Sequence, residues 1–330
     1  MLMGNDVEQK NSDDVIQRYL DELWSDIDPS RHFPAATPLL AHYTSLSTLE
    51  AIIKGQELWM SHPFLMNDIE ELRWGVMHGT ERFVQSTEIT AAVASDEHFQ
   101  VVVKALMDAR DLDGEVYSYD TYIACFSEHV QGDSDGRLSM WRAYGSDGGG
   151  AAIVFDTSKL TEDDNSPLLI APVDYRSTAQ RIEWIDSAIK KAAKAIRELG
   201  GDASEQALQE VARNYYVRIR RAALFSKHAS FEEEKEWRVV YLPDLDPSER
   251  FKELMGYAIT PKGIQPKLKL RLGEKSIGRP LHLEDVVDSI LLGPTAGSLI
   301  ARHAAMRLCE AAGKPDLASR VRLSGTPYRP

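Results

Sequence analysis

The stretch LLAHYTSLSTLEAIIKGQELWMSHP, residues 39–63, constrains the fold most, because it switches from a strand pattern to a helix pattern and back. The apolar run PLLAHYT predicts a strand. A helix is then expected to begin at Ser45 or Ser47 and to end at Gly55, and ELWMSHP predicts a second strand. Elsewhere strand and helix patterns are mixed without strict alternation. We therefore expect an α+β fold decorated by helices.

The domain organisation follows from the position of polar and helical segments. Residues 1–12 are polar and are predicted to be disordered, and residues 13–330 are predicted to form a single α+β domain. Within it, residues 178–227 have the pattern of a helical hairpin interrupted by LGGDAS, where Asp202 or Ser204 can cap the second helix. We expect this hairpin to be an insertion between strands of the sheet.

Composition limits the partners and the compartment. The chain has 38 Lys and Arg residues against 51 Asp and Glu residues, a net charge of −13, so binding to nucleic acid would require a local basic patch. Cys125 and Cys309 lack CxxC spacing, which argues against a disulfide framework or a cysteine-based zinc site. An apolar signal core and a membrane-length apolar segment are both absent from the sequence, so we predict a cytoplasmic protein without a membrane partner.

The stretch EKEWRVVYL carries the strongest chemical signal. A strand from Glu234 to Tyr241 would place Glu234, Glu236 and Arg238 on one face and the aromatic side chains on the other. Charged groups aligned on a desolvated face cost stability unless they pair or bind a polar ligand. An exposed, salt-bridged edge strand is the structural alternative.

Two further stretches hold polar or aromatic side chains that a ligand site would use. In HYT, His42 and Thr44 face one side of the predicted strand and Tyr43 faces the other. In SMWRAYG, Trp141 and Tyr144 lie three residues apart beside a glycine run, an arrangement that suits either a planar ligand or core packing. HxxxH and GxxxxGK[ST] patterns do not occur, which argues against common metal and P-loop sites.

Taken together, HYTSLSTLEAIIKGQELWMSHP, MNDIEE, CFSE, SMWRAYG, KHASFEEEKEWRV and ILLGP resemble the bacterial family known as domain of unknown function 2971. A strand with His and Thr, a helix ending in Gly, a second strand with a hydroxyl residue and a late EKE strand are also similar to ADP-ribosyltransferase folds. This second resemblance implies a central mixed or antiparallel split sheet of the ADP-ribosyltransferase-like type.

The same resemblance implies that NAD is a substrate and that its nicotinamide–ribose bond is cleaved. Glu236 would stabilise positive charge that develops on the ribose, and Glu234 would act as the base for an acceptor. His42 would bond a ribose hydroxyl, while Thr44 or Ser61 would hold neighbouring polar atoms. All of these residues except Thr44 are expected to line one cleft.

The remaining expected contacts and partners also come from the resemblance. Tyr43 belongs to the expected pocket, Trp141 or Tyr144 would stack on nicotinamide, and Arg238 would meet the pyrophosphate. Besides NAD, the expected partners are an unknown acceptor, either protein or nucleic acid, and a regulatory protein at the hairpin 178–227. Such bacterial families imply a toxin or a phage-defence effector.

Two other functions stay open at this point. One is a catalytically silent module that binds a nucleotide or another protein. The other is a magnesium-dependent nucleic-acid-processing enzyme with Asp68, Glu234 and Glu236 as ligands, although the acidic net charge argues against it. Release of nicotinamide from NAD would separate the leading function from both.

Overall fold

The computed structural model describes residues 2–27, 39–66, 69–114, 118–160, 166–260, 263–273 and 281–328. The helices are α1 (Leu2–Leu23), α2 (Leu46–Gly55), α3 (Ile69–Val84), α4 (Thr87–Ala92), α5 (Asp96–Leu112), α6 (Leu138–Ala143), α7 (Thr178–Leu199), α8 (Glu205–Leu224), α9 (Leu283–Val286), α10 (Leu299–Ala311) and α11 (Pro315–Ala318). The strands are β1 (Leu39–Thr44), β2 (Glu57–Ser61), β3 (Tyr122–Glu128), β4 (Ala151–Asp156), β5 (Leu168–Pro172), β6 (Asp174–Arg176), β7 (Ser226–His228), β8 (Glu236–Tyr241), β9 (Met255–Thr260), β10 (Gly263–Arg271), β11 (Val287–Leu292) and β12 (Val321–Leu323).

The chain divides into two compact units, each assembled from separate segments. The first unit comprises Met1–Asp28, Asn67–Asp120 and Asp174–Ser230, and it contains the long helices. The second comprises Pro29–Met66, Thr121–Val173 and Phe231–Pro330, and it contains the large sheet.

The helical unit has a core of its own. Apolar side chains of α1, α3, α4, α5, α7 and α8 form one buried cluster that includes Tyr19, Phe83, Leu106, Ile189 and Tyr215. This cluster gives the long amphipathic helices the tertiary packing on which most helical stability in proteins depends. The short strands β6 and β7 pair in parallel within this unit.

The helical unit differs from the predicted domain organisation in two ways. Helix α1 begins at Leu2, whereas residues 1–12 were predicted to be disordered. The predicted hairpin is present as α7 and α8, and Ser204 caps α8 by accepting from the Ala207 amide at 3.2 Å. However, both helices share their core with α1, α3 and α5, so the hairpin belongs to a separate helical unit instead of decorating a single domain.

In the sheet unit, ten strands of the described chain form one mixed sheet. The main path has the order β12-β11-β4-β1-β3-β2-β10-β9, β8 pairs with β3, and β5 pairs with β8. The α+β prediction with a mixed sheet is therefore confirmed. The local pattern at its start is confirmed too, because the Ser45 hydroxyl caps α2 by accepting from the Thr48 amide at 3.1 Å.

Strand β3 is the point where this sheet splits. One edge of β3 pairs with β8 from Tyr122 to Ser127. The other edge is shared by two strands, because β1 pairs at Ser127 and Glu128 whereas β2 pairs at Ile123. Between these pairings, around Cys125, the described strands leave a gap in the ladder. We call this gap the β3 split.

The register assigns the side chains to two faces. Ala41, Ser127 and Glu236 lie opposite one another on β1, β3 and β8, so they share one face, which we call the Glu236 face. His42 follows Ala41, so its side chain lies on the opposite face, which we call the His42 face. The largest core cluster of the unit, which includes Phe126 and residues of α2, lies on the His42 face.

The Glu236 face is apolar where helix α6 covers it. Leu39 and Tyr43 of β1, together with Val154 of β4, pack there with Met140 and Trp141 of α6. Across β3, β8, β2 and β10 the same face carries hydroxyl and charged side chains beside the buried apolar Ile123 and Val240. Among the described residues, no helix has the length and hydropathy that a membrane span requires.

We predict that Gly150→Ala destabilises the sheet unit by about 2–3 kcal/mol, because overpacked positions lose stability on this scale. A Cβ at Gly150 would lie 2.2 Å from the carbonyl oxygen of Thr44, which is backbone and cannot move aside. Gly55→Ala is the control, since the Cβ added there would meet nothing closer than 3.9 Å. Urea unfolding measures both free energies, and equal midpoints for the two variants would contradict the close approach.

Candidate functional site

The charged residues of β8 form a buried ion pair on the Glu236 face. Arg238 donates from Nε to Glu236 Oε1 at 2.7 Å and from Nη2 to Oε2 at 3.3 Å. Both side chains are almost fully buried, at 4% and 3% exposure. The sequence prediction that Glu236 and Arg238 share a face is therefore confirmed. The predicted exposed-edge alternative is excluded, because β8 lies between β3 and β5.

Glu234 does not belong to this strand, so its predicted alignment with Glu236 is wrong. It ends a 3-10 helix, Ala229–Glu234, and β8 begins only at Glu236. The residue between them, Lys235, has a φ of 42°, a left-handed conformation that interrupts an extended chain. Glu234 is buried, and its carbonyl oxygen accepts from the Ser127 hydroxyl at 2.5 Å.

Ser127 and Arg137 are components of this face that sequence reasoning missed. The Ser127 hydroxyl accepts from Arg137 Nε at 3.2 Å while it donates to the Glu234 carbonyl, and its side chain is fully buried. Arg137 also donates from Nη2 to the Glu128 carbonyl at 3.3 Å. The alternation in CFSE, which puts Cys125 and Ser127 on one face of β3, was the available signal.

His42 reaches into the β3 split. Its Nδ1 donates to the carbonyl oxygen of Cys125 at 3.0 Å, because a carbonyl can only accept. Burial lowers the pKa of His42, and the bond to Cys125 opposes this to a smaller extent. The neutral imidazole with a proton on Nδ1 leaves Nε2 as an acceptor, and within the described chain it has no hydrogen-bond partner.

The expected single cleft of His42, Ser61, Glu234 and Glu236 is not formed as predicted. Strands β1 and β8 are not neighbours, because β3 lies between them, and two strand spacings amount to about 10 Å. The side chains of His42 and Glu236 also leave the sheet on opposite faces. What the two share is β3: His42 bonds Cys125, and Cys125 lies opposite Arg238.

The other hydroxyl residues separate in the same way. Thr44 is buried and lies on the His42 face. Tyr43 lies on the Glu236 face, but its hydroxyl accepts from the Arg137 amide at 2.7 Å, and burial raises its pKa to about 12. Ser61 is half-buried on the Glu236 face at the end of β2, opposite Ile123. Of these three residues, Ser61 is the one placed at the β3 split with its side chain on the Glu236 face.

The aromatic residues predicted to stack on nicotinamide pack into the protein. Trp141 is fully buried, contacts Tyr43 edge-on at 4.8 Å between ring centroids and donates from Nε1 to the Asp135 carbonyl at 2.8 Å. Tyr144 is half-buried against the same cluster. The glycine run serves close packing of backbone, since the Gly150 carbonyl accepts from the Gly293 amide at 2.9 Å. The stacking role predicted for Trp141 is therefore excluded, because its ring is fully buried.

A metal site receives no support from the described residues, in which no group of three or more His, Cys, Asp or Glu side chains could hold an ion. Asp68, a ligand in the magnesium hypothesis, lies outside the residues that the structure describes.

Comparison with known proteins supports one of the two resemblances. Residues 140–239 match the model of a family described as protein of unknown function (DUF2971), which confirms that assignment over the segment containing MWRAYG and EKEWRV. Among curated proteins and solved structures, nothing matches the chain. The family description assigns no activity, so any chemistry has to be argued from the geometry.

We predict that Arg238→Met costs about 3–5 kcal/mol, because it leaves the Glu236 charge buried without its guanidinium partner. Arg271→Met is the control, since Arg271 is half exposed and lies 3.7 Å from Glu57, and such surface pairs contribute about 1 kcal/mol or less. Chemical unfolding measures both losses. Equal losses would show that the buried pair makes no special contribution.

The depressed pKa of His42 predicts a pH dependence of stability. In the unfolded chain a histidine titrates near pH 6.5, and the folded chain takes up this proton only at lower pH. As pH falls below about 6.5, the unfolded state binds more protons, so the free energy of unfolding decreases. His42→Gln should therefore lose less stability between about pH 8 and pH 5.5 than the wild type. Identical losses in both proteins would contradict the desolvated imidazole.

Proposed function

We propose that the chain is a NAD-consuming, ADP-ribosyltransferase-like enzyme whose substrate lies over the β3 split. The observation that carries this proposal is the set of polar side chains on the Glu236 face beside the β3 split, where the fixed carboxylate of Glu236 and the Ser61 hydroxyl share one side of the sheet. His42 lies on the opposite face; it bonds the Cys125 carbonyl at the split and is assigned no contact to the same ribose. A sheet split at one strand is also the arrangement that the ADP-ribosyltransferase resemblance implies.

Glu236 is the residue proposed to act on the ribose. When the bond between the ribose C1′ and the nicotinamide nitrogen breaks, its electron pair leaves with nicotinamide and positive charge develops on the ribose. A fixed carboxylate stabilises that charge, and a site sheltered from water strengthens the effect. Arg238 positions the carboxylate by bonding both of its oxygens. The acceptor, water or another nucleophile, then forms a bond to C1′ and releases its proton to solvent.

The geometry modifies the roles expected from sequence. Glu234 is not retained as the acceptor's base, because the strand alignment behind that assignment is absent. Trp141 is not retained as a stacking residue, because it is buried. Of the contacts first expected, Glu236 and Ser61 remain in the proposal. His42 is not retained as a ribose contact, because its side chain leaves the sheet on the opposite face, and Arg238 positions Glu236 instead of meeting the pyrophosphate. A toxin or phage-defence role remains part of the proposal only as an implication of the resemblance.

A second candidate is a silent module that binds a nucleotide without cleaving it. The specific observation in its favour is the buried Glu236–Arg238 pair, in which the carboxylate is already engaged at both oxygens. Such a site would bind NAD, and the ion pair would keep Glu236 from contacting the ribose.

The test is release of nicotinamide from NAD by the purified chain, followed by chromatography. We predict that the wild type releases nicotinamide and that Glu236→Gln lowers the rate by about 10²–10³, as expected for loss of one charge-stabilising group. Glu232→Gln is the matched control, because Glu232 is exposed in the preceding 3-10 helix and bonds Lys235. It should retain the wild-type rate.

The outcomes separate the two candidates. NAD binding without nicotinamide release by the wild type would support the silent module. Equal release by wild type and Glu236→Gln would remove Glu236 from the proposal. Circular dichroism and urea unfolding of Glu236→Gln must show a folded protein, because the substitution changes a buried pair.

A further inference from the structure

Strand β10 has a row of positively charged side chains on the Glu236 face. In the run KLKLR, Leu268 and Leu270 are buried in the largest core cluster, so Lys267, Lys269 and Arg271 point to the other side. Arg271 lies 3.7 Å from a carboxylate oxygen of Glu57 on β2 and is thereby paired. The two lysines have different surroundings.

Lys267 is half-buried and bonded to a hydroxyl in place of an acid. Its Nζ donates to the Ser61 Oγ at 2.8 Å across the β2–β10 pair. Within the described chain no carboxylate lies within ion-pair distance of it. Burial lowers the pKa of Lys267, as expected for an ammonium that loses water without gaining a counter-ion. A solvated surface lysine would keep its water, so ordinary surface exposure does not explain this position.

Lys269 is held in place by glycine and tryptophan. Its stem crosses Gly256 of β9, where an added Cβ would lie 3.2 Å from Lys269 Cε. Its Nζ lies 4.2 Å from the ring centroid of Trp59, which is 40% exposed. The acidic residue of β2, Glu57, accepts from the Trp59 indole at 2.8 Å and is close to Arg271. In the part of the chain that the structure describes, Lys269 has no carboxylate partner either.

Two neighbouring ammonium groups without acidic partners are unexpected in a protein of net charge −13. A bound anion would stabilise each ammonium group, because charge-assisted hydrogen bonds from ammonium to phosphate are stronger than hydrogen bonds between neutral groups. The adjacent Ser61 hydroxyl supplies a further polar contact, and the exposed indole supplies a surface for a planar ring. Ser61 also lies opposite Ile123, so these groups adjoin the β3 split.

We propose that Ser61, Lys267, Lys269 and Trp59 bind a nucleoside diphosphate, with the diphosphate on the lysines and the base against Trp59. This site rests on the proposed function in one respect: the ADP part of NAD is the ligand that it takes there. It assigns the diphosphate to β2 and β10, and it leaves the ribose next to nicotinamide for the β3 split.

The test is calorimetric titration of the full chain with ADP and, separately, with inorganic pyrophosphate. Lys267→Met should weaken ADP binding by about tenfold or more, the scale of one lost charge-assisted bond. Lys54→Met is the matched control, because it removes the same charge from a lysine paired with Glu50, and it should leave ADP affinity unchanged. Lys267→Arg should retain most of the affinity, because the charge remains.

A second pair of measurements tests the base contact. Trp59→Leu should weaken binding of ADP but not of pyrophosphate. If Lys267→Met does not fold, Lys269→Met supplies the test, with the same tenfold expectation. Equal ADP affinity in the lysine variant and the Lys54→Met control would overturn the site, as would absence of saturable ADP binding by the wild type. Pyrophosphate binding as tight as ADP binding would overturn the nucleotide assignment.

These results are independent of turnover. Binding of ADP that depends on Lys267, without nicotinamide release, would uphold the diphosphate site and defeat the enzymatic proposal. Nicotinamide release that is insensitive to Lys267→Met, with unchanged ADP affinity, would do the reverse.

Discussion

The shared edge of β3 is the constraint on which the rest of the sheet unit depends. A strand has two edges, and one edge of β3 is fully used by β8. The other edge serves both β1 and β2, so backbone groups near Cys125 must find partners outside the ladder. The His42 imidazole supplies one of them by donating to the Cys125 carbonyl. The same contact fixes the proton on Nδ1 and directs the acceptor capacity of the ring to Nε2.

The buried pair on β8 has an energetic meaning that bears on function. Taking a carboxylate and a guanidinium out of water costs several kcal/mol for each ion, and well-packed apolar residues would often be as stable. Stability alone therefore gives little reason for Glu236 and Arg238 to occupy the middle of the sheet. A role in ligand binding explains their presence better, because the buried carboxylate is already shielded from solvent when a ligand rearranges the ion pair. Lys267 and Lys269 on the same face fit this interpretation, since neither has a carboxylate partner among the described residues and both add positive charge to this polar surface.

Local patterns in the sequence predicted the local structure well. The strand at Leu39–Thr44, the helix that Ser45 caps and the helical hairpin with its Ser204 cap follow from side chains only a few residues apart. The break before β8 was not predictable, because the left-handed conformation of Lys235 is set by tertiary contacts and not by a glycine. The division of the chain into two compact units was not predicted for a similar reason, since each unit is assembled from segments far apart in the chain.

The alternation of side chains along single strands predicted only part of the candidate site. Alternation correctly placed Glu236 with Arg238, and it would also have placed Lys267 with Lys269. It cannot relate one strand to another, because the register between β1, β3 and β8 depends on pairing over long sequence distances. For this reason His42 and Glu236 were expected on one side of a cleft, whereas the structure places them on opposite faces across β3.

A crystal structure of the full chain with ADP-ribose tests the central claim most directly, namely that the ligand site lies at the β3 split. The account predicts the diphosphate within hydrogen-bond distance of Lys267 Nζ and the terminal ribose on the same face of the sheet, within hydrogen-bond distance of a Glu236 carboxylate oxygen. ADP-ribose bound elsewhere, with Lys267 and Glu236 left in their present contacts, would contradict it.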